Sequence, residues 1–260
     1  MCRDTARQTV LVCTVFVDFA PHAPWPVRLA GVRDEFVERA WSPPAFHWNA
    51  AYAPLIGGRD DVAGGTWLAV DTGAPAVAVV LNRPAAVVTD PSATRGDLPL
   101  LALRERDLPL APAELRRYAG FYLLLATPER AVLWGWDGRV LREEPVPPGR
   151  HMVVSTGLDD LEHPRVGHFL PRLRALPDVS PTPGLTVRGA WGEWIDMLGG
   201  EGIPANDPRA LLVDLEVAGH RYGTGSISLV GLGAGAVRYD FLASPGDPEV
   251  WQEVLPSTPR

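Results

Sequence analysis

Apolar and polar positions alternate along this chain in blocks that read mostly as strands. Residues 9–17 (TVLVCTVFV) are continuously apolar and β-branched, as in a strand covered on both faces. The cysteine inside that run, Cys13, reads as a small core hydrophobe. A turn-rich connector over 21–26 leads to a short strand at 27–30, and Gly31 then permits a sharp approach to Arg33-Asp34-Glu35. Residues 41–54 mix Trp, Pro, Phe and His without period and predict an ordered loop. Gly64-Gly65 opens a hairpin of strands 66–70 and 76–81, turning at Asp71-Thr72-Gly73. Short helices are expected at 98–106 and 112–117, and an antiparallel meander over 120–127, 131–136 and 140–141. A strand at 153–157 precedes helices at 166–175 and 191–198, the second stopping at Gly199-Gly200. Strands at 211–217, 225–232 and 237–242 finish the chain. Strand-dominated halves with helices between them predict an α+β protein with large antiparallel sheets, folded as a single domain over 1–260.

Composition narrows the function classes. A net charge of −7, with arginines scattered along the chain, argues against a nucleic-acid partner. Residues 10–19 are too short to span a bilayer and contain Asp18, so no membrane insertion is expected. Two cysteines make no disulfide framework, which favours a reducing cytoplasm. The six His and two Cys never fall into ligand spacing, so neither a metal nor another cofactor is expected. The sequence carries no signal of oligomeric state.

The densest chemistry lies in 32–67, with Cys2 upstream and Leu81-Asn82-Arg83 downstream. Removal of Met1 would leave Cys2 with a thiol and a free α-amine, which titrates at about 7.7–8.0 and can act as a base at neutral pH. The alternative is an incidental cysteine at a frayed terminus. Asp34 could orient that amine and Arg33 could hold a substrate carboxylate or phosphate, or both could belong to a structural ion network with Glu38 and Arg39. Asn82 could aim its amide at a developing oxyanion, or cap a turn. Trp67 could be a ligand platform or core.

Taken in order, Met1-Cys2, Arg33-Asp34-Glu35, Gly58-Arg59-Asp60, Gly64-Gly65-Thr66-Trp67 and Asn82-Arg83 resemble the NRDE family. That family is named for its Asn-Arg-Asp-Glu motif, and its animal members are called transport and Golgi organisation protein 2. Arg95-Gly96-Asp97-Leu98, Tyr118-Ala119-Gly120-Phe121 and Tyr222-Gly223-Thr224 with Ser226 extend the resemblance. It implies a four-layer αββα sandwich of the N-terminal nucleophile hydrolase type, two packed antiparallel sheets flanked by helices. By resemblance Cys2 is the nucleophile, Asp34 holds the amine and Asn82 helps form the oxyanion hole, with Arg33, Arg59, Trp67 and Thr156 as substrate-binding candidates. The implied activity is hydrolysis or transfer at a small-molecule amide or acyl bond. The sequence departs from the family at Val32 (family Asn), Thr156 (family Asn) and Gly225 (family Arg). Those departures favour an alternative, a binding or trafficking protein for an acyl, lipid or haem-like ligand.

Overall fold

The computed structural model describes residues 13–84, 92–245 and 250–255. The first half of the chain forms β1 (Thr14–Phe19), β2 (Val27–Phe36), β3 (Trp41–Ala45), β4 (Leu55–Asp60), β5 (Leu68–Asp71) and β6 (Ala76–Asn82). Helices α1 (Asp97–Glu105) and α2 (Pro112–Leu115) follow, then β7 (Phe121–Ala126), β8 (Ala131–Trp136), β9 (Leu141–Pro145), β10 (Gly149–Val154) and β11 (Gly157–Leu158). Helices α3 (Pro164–Ala175), α4 (Val187–Trp191) and α5 (Trp194–Leu198) precede β12 (Asp214–Val217), β13 (His220–Gly233), β14 (Ala236–Ala243) and β15 (Gln252–Leu255).

Two antiparallel sheets result. The first has the order β11-β10-β1-β2-β13-β14-β15, with β12 also paired to β13. The second is a simple meander, β3 through β9 in sequence order. Strand alternation sorts the side chains into three apolar layers. Val15, Val17, Leu29 and Val230 of the first sheet meet Val77, Val79, Leu124 and Leu133 of the second. Phe16, Val32, Ile227 and Leu229 face the other way, onto Val166, Phe169, Trp191 and Trp194 of α3–α5. Ala78, Leu123 and Trp134 pack beneath Leu98, Leu103 and Leu115 of α1 and α2. Helix, sheet, sheet, helix is the αββα sandwich expected. Each fully buried Val, Leu or Phe adds roughly 1.5–3 kcal/mol, so all three interfaces are substantial.

Several local expectations change. β2 runs on through Arg33-Asp34-Glu35 to Phe36, because β13 pairs with it along that whole length and gives the buried charges partners. The segment 41–54 holds a strand, β3, and a single 3-10 turn, where only a loop was expected. The Gly58-Arg59-Asp60 motif lies in strand β4, which is paired on both sides. The helix expected over 191–198 is two short helices, broken at Gly192, whose φ of 52° lies in the left-handed region. The strand expected from 211 begins only at Asp214. The outermost strands of the second sheet are polar and proline-bearing: β3 reads Trp-Ser-Pro-Pro-Ala and β9 reads Leu-Arg-Glu-Glu-Pro. Among the described residues no helix is long and apolar enough to cross a membrane.

Candidate active site

One transverse row across the first sheet organises the site. Thr14 pairs with Val32, so the same register sets Cys13, one residue ahead of β1, beside Arg33, and Arg33 pairs directly with Ser226 of β13. Alternation turns all three inward, between the sheets, because Val15, Leu29 and Val230 on the same strands belong to that layer. The Cys13 thiol donates to the backbone carbonyl of Asp34 at 3.5 Å, and the Tyr222 hydroxyl donates to the same oxygen at 3.1 Å. Burial, and then the charge of Asp34, push the Cys13 thiol up to about 11, with Arg33 opposing. Embedded mid-chain, this sulfur is a thiol at neutral pH.

The opposite face of β2 carries an ion pair sealed from solvent. Asp34 Oδ2 lies 3.2 Å from Arg165 Nη1, and the Thr224 hydroxyl donates to Oδ1 at 2.7 Å. Arg165, on α3, also donates to the Thr14 hydroxyl at 2.7 Å. The Asp34 carboxyl is pushed up to about 6 by burial, against the pull of Arg165 and Thr224. It thereby ties β1, β2, β13 and α3 together beneath the inward-facing row.

Above the row sits the Arg33 guanidinium, 4.6 Å from the Trp67 ring centroid and 5.9 Å from that of Trp41. The two indoles meet edge to face at 5.8 Å. Arg33 is 5% exposed, and its one ion pair among the described residues is Glu35 at 3.9 Å. It lines a cavity of about 640 Å³ whose walls include Phe36, Trp41, Leu212, Val213, Thr224 and Gly225. Arg95, held by a 3.0 Å bond to the Gly120 carbonyl, lies near enough to Cys13 and Glu35 to feel their charge.

The glycine motifs have steric reasons. A Cβ on Gly58 would fall 2.3 Å from the Trp67 ring, so β4 leaves room for the indole that supports Arg33. A Cβ on Gly65 would fall 2.4 Å from the Gly96 carbonyl carbon, and the Thr66 N–H donates to Gly96 O at 2.9 Å. The Gly64-Gly65 turn and the Arg95-Gly96-Asp97 motif are therefore one packed unit.

Arg33, Asp34 and Trp67 thus converge, although the Asp34 carboxylate is committed to Arg165 and Thr224 and lies on the face away from the thiol. Arg59 does not join them. It shares the Leu55 side of β4, is largely exposed and faces Asp61 at 3.8 Å. Asn82 ends β6 with its side chain exposed, on the Ala78 and Val80 side that packs under the helices. Thr156 is exposed and not on the cavity wall, its carbonyl accepting from the Tyr122 hydroxyl at 3.1 Å, with Arg83 over that ring at 4.8 Å. Cys2 lies outside the described residues. Cys13 packs against the inter-sheet core, as its place in an apolar run predicts, and the sequence did not single out Arg165 or Arg95. The described residues contain no cluster of His, Cys, Asp and Glu that could hold a metal ion.

A sequence model of the family Transport and Golgi organisation 2 matches residues 12–178, more than half of the chain. No curated protein sequence matches it. Among solved structures, the C2A mutant of conjugated bile acid hydrolase from Clostridium perfringens superposes with a TM-score of 0.48 at 9% identity, covering 93% of this chain and 92% of that one. Penicillin V acylase from Agrobacterium tumefaciens superposes with a TM-score of 0.41 at 12% identity, covering 93% of this chain and 86% of that one.

Proposed function

Because the chain belongs to the Transport and Golgi organisation 2 family, we propose that the inward-facing row is a cysteine hydrolase or acyl-transfer site for a small-molecule amide, with Cys13 as its nucleophile. The observation that carries this reading is the position of the Cys13 thiol, on the Asp34 carbonyl and next to a buried Arg33 that lines a cavity. The family match begins at residue 12, one residue ahead of Cys13. This supports Cys13, rather than Cys2, as the counterpart of the cysteine that follows the family's initiator methionine.

The chemistry sets a condition. A thiol raised to about 11 needs a base, and the nearest carboxylate, Asp34, is engaged on the other face. In a chain that starts at Cys13, with the Val12–Cys13 peptide bond hydrolysed or never made, its own free α-amine becomes that base and takes the Sγ proton. The thiolate adds to the amide carbonyl carbon; the C–N bond then breaks, the leaving nitrogen takes the proton, and a thioester remains on Sγ. Water adds to the thioester, the C–S bond breaks, and the acid is released with the thiol restored. Arg33 and Arg95 supply positive charge near the developing oxyanion. Asp34 acts as a positioning residue, fixing β1 through Arg165 and Thr14. A reducing compartment such as the cytoplasm suits a thiol nucleophile.

The test is a chain made as Met followed directly by Cys13, compared with residues 1–260 against a panel of N-acyl amides. Turnover and thiol labelling are expected in the short form, none in its Cys13→Ala variant, and no effect of Cys2→Ala in the long form. Turnover that survives Cys13→Ala would sink the assignment. A second reading, a binding protein for an acyl or haem-like ligand, is favoured by Thr156 and Gly225 where the family has Asn and Arg. It predicts ligand retention unchanged by alkylating Cys13, with no product formed.

A further inference from the structure

The cavity is charged in a specific way. Of the two carboxylates on its wall, Asp214 is held by Arg221 at 2.8 and 2.9 Å. Glu35 is shared with Arg39 at 3.8 Å. Arg33 is left with stacking on Trp67 and one long ion pair, and its guanidinium donates no hydrogen bond among the described residues. A nearly buried cation with five donors, facing a cavity and with only one carboxylate at 3.9 Å among the described residues, has donors to spare for added oxygens.

The space beside it is also specific. β13 carries a bulge between Thr224 and Ser226, which lifts Gly225 out of the ladder. A Cβ at Gly225 would meet Arg33 Nη1 at 3.2 Å, so any side chain there would crowd the guanidinium. The Ser226 hydroxyl, on the strand position paired with Arg33, is buried and has no hydrogen-bond partner among the described residues. Phe36, Val37, Trp41, Leu212 and Val213 give the wall an apolar stretch, beside the polar side chains of Arg221, Thr224 and Ser244.

We propose that Arg33, with the gap at Gly225, is a subsite for anionic oxygens, and that the cavity takes an amide bearing both an apolar acyl chain and a carboxylate or phosphate-type group. The inference rests on the hydrolase reading only for where the bond is cut; binding is measured without cleavage, so the two fail separately. Binding of N-octanoylglycine, its neutral carboxamide and the matching aminomethylphosphonate is measured by calorimetry on the Cys13→Ala protein. At least one anionic probe is expected to bind about tenfold or more tighter than the carboxamide, as a charge-assisted bond implies. The better anion of the two identifies the group. Arg33→Met should abolish the preference. Gly225→Val, which fills the gap and leaves the charge, should do the same. Equal binding of all three probes, no binding of any, or a preference that survives Gly225→Val in a folded protein would overturn the proposal.

Discussion

Replacing Arg165 by methionine tests the buried pair under the site, because the pair's worth depends on pH in a direction that can be worked out. Both side chains are fully buried, and Arg165 touches Asp34 and Thr14 together. Burial raises the Asp34 carboxyl from 3.8 to about 6, so the folded protein holds that proton more tightly than the unfolded chain. The stability linked to this group is full below 3.8 and is lost as pH rises through 6. Arg165 is the largest influence opposing the rise. Without it the carboxyl titrates higher still, and the loss deepens and continues past pH 6. At pH 8 the variant holds an uncompensated buried carboxylate, a cost of about 3–5 kcal/mol. At pH 5 Asp34 is protonated in both proteins, and only hydrogen bonds are forfeited, about 1–2 kcal/mol. Urea unfolding at pH 5 and pH 8, followed by tryptophan fluorescence, measures both differences. A destabilisation equal at the two pH values would refute the linkage and make the pair merely steric.

Three further outcomes are expected. In the 1–260 chain, alkylation of Cys13 should be slow at pH 7 and rise about tenfold per unit to pH 9.5, because its thiolate forms only near 11. Peptide mapping separates it from Cys2, and a plateau for Cys13 below pH 9 would contradict the burial argument. Gly65→Ala should cost about 1–3 kcal/mol, since its methyl meets the backbone of Gly96 and not a yielding side chain; an unchanged melting temperature would argue against the packed turn. Tyr122→Phe should cost about 1 kcal/mol through the lost bond to Thr156 and raise amide exchange around 155–157. Exchange unchanged there would mean the tyrosine does not hold that turn.

What the sequence disclosed follows from how locally each feature is determined. The strand expected at 131–136 is β8, and the helix expected at 166–175 is most of α3, because each carries its own apolar period. β3 and β4 escaped because Pro43-Pro44 and Gly57-Gly58 are poor strand formers that neighbours on the sheet override. The proximity of Arg33, Asp34 and Trp67 was legible from their motifs. The division of labour between them was not, because it depends on which face of β2 each occupies. Asp34 and Arg165 are separated by 131 positions, and nothing near either one announces the other. Cys13 packs against the core between the sheets as its apolar context predicts, while its register beside Arg33 follows only from the pairing of β1 with β2.

The outer strands of the second sheet have a consequence for the protein in concentrated solution. β3 exposes Pro43, with Ser42 and Pro44 half-buried beside it, and β9 exposes Arg142, Glu143, Glu144 and Pro145. Prolines withhold the amide hydrogens that a docking strand would need, and paired glutamates repel a second copy of themselves. A meander of seven strands would otherwise be open to lateral growth at both ends. Aggregation by strand addition is therefore blocked at this sheet by composition alone, and substituting Val at positions 43, 44, 143 and 144 should convert a dispersed protein into one that forms fibres.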